Sequence, residues 1–142
     1  MQQEDQGRWK ELWKGYLDFY QTTLPDEAYG RTWERLMNKN GTLRGFCARD
    51  PVSGAMVGIV HFLFHEHAWT DQPICYLQDL FVAPEARGYG YGRHLIEAVA
   101  GEARRLNCAR LYWLTQENNR TARQLYDRLA AYQGFVRYDY KL

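Results

Sequence analysis

The residues from Tyr76 to Gly92, Tyr-Leu-Gln-Asp-Leu-Phe-Val-Ala-Pro-Glu-Ala-Arg-Gly-Tyr-Gly-Tyr-Gly, constrain this chain more than any other stretch. They read as a buried strand, a proline-marked exit and a glycine-rich turn. The residues after them predict an amphipathic helix from Tyr91 to Leu106, with Leu95, Ile96, Val99, Ala103 and Leu106 on one side. A strand feeding a glycine turn that opens a helix makes an anion site. The turn and the first helical residues aim free main-chain N–H groups at one point, where the helix dipole adds partial positive charge. A Cβ there would hold the backbone away from a ligand and disfavour positive φ.

Two nucleotide motifs are excluded. The dinucleotide fingerprint G-x-G-x-x-G fails because Gly90-Tyr91-Gly92 is followed by Arg93-His94, without a third glycine in place. The phosphate loop G-x-x-x-x-G-K-[S/T] fails because Gly92 precedes Arg93 and no Lys-Ser or Lys-Thr follows. What remains is Arg87-x-x-Gly90-x-Gly92, directly after a strand ending Leu80-Phe81-Val82.

A chain of 142 residues is most simply one domain, here 1–142. A net charge of +1 gives no electrostatic case for nucleic acid or an anionic membrane as partner. Cys47, Cys75 and Cys108 are odd in number and far apart, which implies neither a zinc site nor a disulfide framework. His65-x-His67 lacks a third ligand at useful spacing, so no metal is expected. Met1 to Lys10 is polar, without the apolar core of a signal peptide, and no apolar run is long enough to span a bilayer. A cytoplasmic location is expected by default.

Taken in order, Trp9, Leu12, Trp13, Tyr16, Leu17 and Tyr20 recur at helical spacing, and a second helix is expected from Asp26 to Met37. Most of these aromatics read as core, while Tyr29 is the candidate to face a substrate. Leu43 to Arg49 and Ala55 to Phe64 read as strands around an Asp50-Pro51 to Gly54 turn. His65 to Pro73 reads as a polar loop rimming the site. Ile74 to Val82 is apolar on both faces, as a covered central strand should be. Ala109 to Thr115 predicts a strand, Arg120 to Tyr132 a helix capped from Asn118-Asn119, and Phe135 to Leu142 a last strand.

Five pieces thus fall in sequence: Tyr76 to Val82, Arg87 to Gly92, Asn118-Asn119, Ala122-Arg-Gln-Leu-Tyr126 and Gly134-Phe135. Their succession resembles the Gcn5-related N-acetyltransferases (GNAT), whose acetyl-CoA motif is Gln/Arg-x-x-Gly-x-Gly/Ala. The resemblance covers most of the second half of the chain. It implies an α/β (α+β) fold with a mixed central sheet flanked by helices, acetyl-CoA as co-substrate, and an amine acceptor. By resemblance, Arg87, Gly88, Tyr89, Gly90, Tyr91 and Gly92 hold the pyrophosphate, with Arg93 an added contact. The main chain of Leu80, Phe81 and Val82 pairs with the pantetheine arm as if it were another strand. Asn118 and Thr121 lie near the cofactor, beside Asn119 and Arg120. Tyr126 protonates the leaving thiolate, as a phenol of ordinary pKa about 10 can do for a thiol near 8.5.

The segment looks closest to the diamine and thialysine acetyltransferase branch, which usually has Glu where Gln78 stands. Glutamine cannot act as a base. Asp79, a water chain ending at Glu117 or Glu66, and loss of the proton to bulk water remain as routes. Gln78, Asp79 and Glu117 are the candidates for touching the acceptor. A carboxylate inside an apolar strand needs a partner or a purpose, and for Asp79 a buried pairing and amine binding weigh equally. The first functional reading is acetylation of a small-molecule primary amine such as a polyamine or amino acid. Acetylation of a protein lysine or N-terminus, and a non-catalytic acetyl-CoA-binding domain, are the alternatives. A homodimer is expected.

Overall fold

In the computed structural model, which describes residues 1–142, β1 (Leu43–Arg49), β2 (Met56–His67) and β3 (Thr70–Val82) form an antiparallel meander. The fourth strand, β4 (Arg110–Trp113), lies parallel to β3, which gives the sheet order β1-β2-β3-β4. A parallel neighbour requires a crossover, and α3 (Tyr91–Arg105) supplies it. Two helices, α1 (Gln6–Phe19) and α2 (Asp26–Met37), precede the sheet, and α4 (Arg120–Leu129) follows it.

Alternation along β2 divides the core. Ile59 belongs to the cluster beneath α1 and α2, and its neighbour Val60 to the cluster beneath α3. The first cluster is aromatic: Trp9 lies 5.1 Å from both Trp13 and Trp33, ring centre to ring centre, and Tyr29 meets Trp13 edge-on. The helical stripe read from the sequence is therefore core at Trp9, Leu12, Trp13 and Leu17. Tyr29 belongs to that core as well, being 7% exposed, so it does not face a substrate.

Two expectations are corrected. His65 to Pro73 is not a loop: β2 continues to His67 and β3 begins at Thr70, leaving only Ala68 and Trp69 to turn the chain. The polar residues read as loop are intermediate or exposed throughout, because the two strands run past the covered part of the sheet here and hold each other by main-chain pairing. His65 lies 3.2 Å from the Tyr112 hydroxyl, and His67 Nε2 lies 3.0 Å from the Arg110 guanidinium. The expected strand from Phe135 to Leu142 is not formed; residues 130–142 are neither helix nor strand. Phe135, Tyr138 and Tyr140 are more than four-fifths exposed. An alternating pattern makes a strand only when a neighbour accepts its hydrogen bonds, and this segment has none. No helix is long and apolar enough to cross a membrane.

Candidate active site

The site begins with an irregularity in β3. Its partner in β2 steps from Phe62, opposite Leu77, to His61, opposite Asp79, so Gln78 is an extra residue with no opposite number. Such a bulge bends a strand and breaks its ladder. On the other edge of β3, pairing with β4 covers four positions and stops at Leu77 and Trp113, just before the bulge. Beyond that point β3 still pairs with β2 through Val82, while its β4-side edge is unpaired. The β4-side edge from Gln78 to Val82 therefore has no strand beside it, though side chains reach its two ends: the Tyr16 hydroxyl donates to the Gln78 carbonyl at 3.5 Å, and Arg87 takes the Val82 carbonyl. The pantetheine expectation placed on Leu80, Phe81 and Val82 falls on this edge.

Beyond the end of β3 at Val82 stands the glycine turn. Gly88 and Gly90 have φ of +85° and +86°, which a side chain rarely adopts. Gly90 caps α3 and receives the His94 amide on its carbonyl at 3.0 Å. The amides from Gly88 to Arg93 donate to no main-chain acceptor. They stand free where the positive end of the α3 dipole lies, which is what a diphosphate requires. Arg87 is braced beside them: its Nε–H donates to the Val82 carbonyl at 3.1 Å, and its guanidinium lies 5.6 Å from the centre of the Phe81 ring. The unpaired edge, free amides and braced cation fit a CoA thioester.

The side chains of this segment are less uniformly committed. The Tyr91 hydroxyl donates to Asp50 at 3.0 Å, tying the start of α3 to the β1–β2 turn. Arg93 donates to Glu97 one turn on at 2.7 Å. Tyr89 projects into solvent. The helix cap at α4 comes from Asn119, whose Oδ1 accepts from the Ala122 amide at 3.4 Å, while Asn118, Glu117 and Thr121 are exposed.

A small cavity opens between the parted strands, lined chiefly by Tyr16, Tyr20, Gln78, Leu80, Trp113 and Tyr126. Tyr126 comes from α4 and stands edge-on to Trp113 at 5.4 Å. Burial, with a lesser contribution from Tyr20, pushes its hydroxyl up to about 12. Tyr126 and Gln78 were singled out from the sequence and do meet here. Tyr16 and Tyr20 were not singled out; they read as one more turn of the α1 stripe.

Asp79 faces the other way, toward α1, and is 7% exposed. Its Oδ2 accepts from Trp13 Nε1 at 3.2 Å and lies 2.9 Å from His61 Nδ1. Trp9 Nε1 donates to His61 Nε2 at 2.8 Å. An indole N–H can only donate, so His61 Nε2 carries no proton and Nδ1–H donates to Asp79. The partners of Asp79 are thus an indole and an imidazole rather than an arginine. Trp9→Phe removes the donor to His61 and leaves a buried acceptor unpaired, at a cost of about 1–3 kcal/mol. Urea unfolding of that variant should show the loss, with its midpoint lowered.

Comparison with known proteins accords with this geometry. The model of the acetyltransferase (GNAT) family matches residues 9–132. A D-amino-acid N-acetyltransferase of Saccharomyces cerevisiae is 35% identical over 127 residues, covering 89% of this chain and 79% of the yeast protein. A thialysine N-epsilon-acetyltransferase of Sus scrofa is 35% identical over 82 residues, 58% of this chain and 48% of the pig protein, so that match spans about half of the relative. Among solved structures, a ribosomal-protein-alanine N-acetyltransferase from Brucella melitensis biovar Abortus superposes with a TM-score of 0.80 at 21% identity, over 100% of this chain and 96% of that one. An aminoglycoside N-acetyltransferase in complex with CoA gives a TM-score of 0.84 at 21% identity, over 99% and 91%. At such identities these two structures speak for the fold alone.

Proposed function

The chain belongs to the acetyltransferase (GNAT) family, and from that premise we propose that it moves the acetyl group of acetyl-CoA onto the primary amine of a small molecule. The observation that carries this reading is the meeting of Tyr126 with Gln78 and Leu80 of β3 in one aromatic cavity, on the same strand that runs on to a glycine turn with free amides.

Acetyl-CoA supplies an activated acyl carbon and a thiolate leaving group. The amides from Gly88 to Arg93 and the Arg87 guanidinium would hold its diphosphate, and the edge from Leu80 to Val82 its pantetheine amides. Tyr126 keeps its proton throughout the neutral range and would give it to the departing sulfur. Gln78 orients through its amide and takes no proton.

None of the nine residues lining the cavity is charged. A polyamine carries further ammonium groups that would need carboxylates nearby, so an acceptor with a single amine and an aromatic or apolar body, its other charged groups left in solvent, is the better fit. The name of the yeast relative, a D-amino-acid N-acetyltransferase, agrees with that preference. The exposed aromatic side chains of residues 130–142 support a homodimer, which light scattering tests.

The test is thiol release from acetyl-CoA with D-phenylalanine, thialysine, spermidine, an aminoglycoside and a lysine-containing peptide. Turnover should be greatest with D-phenylalanine or thialysine. Turnover confined to the peptide would replace this reading with protein acetylation, and CoA binding without any turnover would leave a binding domain.

A further inference from the structure

Between Leu77, opposite Phe62, and Leu80, opposite Val60, β3 has two residues where β2 has one. Either Gln78 or Asp79 could face His61 without disturbing an apolar neighbour, because Leu77 and Leu80 keep their places against the cluster under α3 in both arrangements. The observed arrangement turns Asp79 inward and leaves Gln78 exposed as the extra residue. We propose that Asp79 is a positioning residue: with His61, Trp13 and Trp9 it pins the bulge on Gln78, so that Gln78 stands in the Tyr126 cavity and β4 parts from β3 at Leu77. The consequence for turnover rests on the acetyltransfer reading above; the pinning of the strand does not.

Three observations lead there. First, two donors converge on one oxygen: Trp13 Nε1–H at 3.2 Å and His61 Nδ1–H at 2.9 Å both reach Asp79 Oδ2. Second, those donors are fixed in place. Trp9 Nε1 donates to His61 Nε2 at 2.8 Å, which leaves the imidazole proton on Nδ1, and His61 is 1% exposed. The pocket behind β3 thus asks for an acceptor. A carboxylate offers charge-assisted bonds and donates nothing, whereas Gln78 in its place would carry an NH2 group in among donors. Third, the choice reaches the cavity. Pairing with β4 ends at Leu77 and Trp113, immediately before the bulge. Gln78 lines the cavity beside Tyr126, and its carbonyl takes the Tyr16 hydroxyl at 3.5 Å. With the bulge one residue further on, the Asp79 carboxylate would replace the Gln78 amide there.

Asp79 does not line the cavity, so its role is separable from proton transfer. In Asp79→Asn one oxygen of equal reach remains for both donors. In Asp79→Leu none remains, and the Gln78 amide oxygen is the next acceptor along the strand. The bulge should then move on by one, with Gln78 opposite His61 and the leucine as the extra residue. Deletion of Gln78 removes the extra residue itself and keeps Asp79 opposite His61, so that the strand runs straight with its buried contacts kept.

The test reads register by cross-strand NMR contacts, and turnover by thiol release with the amine of the panel that the parent uses best. Asp79→Leu should place Gln78 opposite His61 and lower kcat/KM about a hundredfold, the loss expected when a reacting group is misplaced by about 1 Å. Asp79→Asn should keep residue 79 opposite His61 and most of the parent's turnover. The Gln78 deletion should melt cooperatively and no lower than the parent, yet lose about a hundredfold in kcat/KM. Gln78→Ala, which loses the side chain and keeps the bulge, should lose clearly less. If Asp79→Leu fails to fold, the deletion and Asp79→Asn still decide. An unshifted register in Asp79→Leu, a loss in Asp79→Asn as deep as in Asp79→Leu, or a deletion variant as active as Gln78→Ala overturns the proposal. A parent inactive with every amine overturns the acetyltransfer reading instead, and the register of Asp79→Leu then tests the pinning by itself.

Discussion

Tyr126→Phe is expected to lower kcat about a hundredfold, equivalent to about 2.7 kcal/mol of barrier. CoA should bind the variant as tightly as the parent, because the ring remains against Trp113 and only the hydroxyl is lost. Single-turnover kinetics with acetyl-CoA and the preferred amine separate this from a binding defect. The sign of its pH behaviour follows from burial. The hydroxyl is pushed from 10 up to about 12, so the acid form persists through the working range and the alkaline limb of activity below pH 10 is not its titration. Its contribution to stability is complete below about pH 10 and is lost as pH rises through about 12. Melting of the parent should therefore fall steeply above pH 10, and less so in Tyr126→Phe. Equal turnover by the two proteins would remove Tyr126 from the chemistry.

Gly90→Val should weaken CoA binding more than any other single change in the turn. A β-branched residue at φ +86° is strained by about 1–2 kcal/mol, and relief of that strain turns the free amides away from their common point. Its Cβ would meet nothing closer than His94 Cε1 at 3.9 Å, so the damage is to backbone direction and not to packing. We expect at least a tenfold loss of CoA affinity by calorimetry, with a cooperative but lower melting transition. Gly101→Ala is the control, since that glycine lies within α3 with open space around it. It should stabilise the protein by about 0.5–1 kcal/mol and leave CoA binding unchanged. If Gly90→Val bound CoA like the parent, the turn would not be the anion site.

Much of this architecture could be read locally. Tyr76 to Gly92 names its own structure, because an apolar strand, a proline exit and glycines before a helix are each decided by residues a few positions apart. The helices at Asp26–Met37 and Tyr91–Arg105 declare themselves by apolar periodicity in the same way. The succession of five short pieces also pointed to the family. Readings that depended on a distant neighbour fared otherwise. The residues from His65 to Pro73 looked like a loop because none of them is buried, and Phe135 to Leu142 looked like a strand although nothing pairs with it.

By itself, then, the sequence determined the order of elements from α1 to α4, the glycine turn and the helix that carries Tyr126, since propensity, capping and periodicity act within a turn or two of the chain. Only the tertiary structure decided that Gln78 is a bulge, that β4 leaves β3 at Leu77, and that Tyr16 shares a cavity with Tyr126. It alone joined Asp79 to Trp13, 66 residues away, and His61 to Trp9, 52 residues away. Strand register and helix docking set those contacts, and both are settled by the packing of the whole core rather than by any stretch of it.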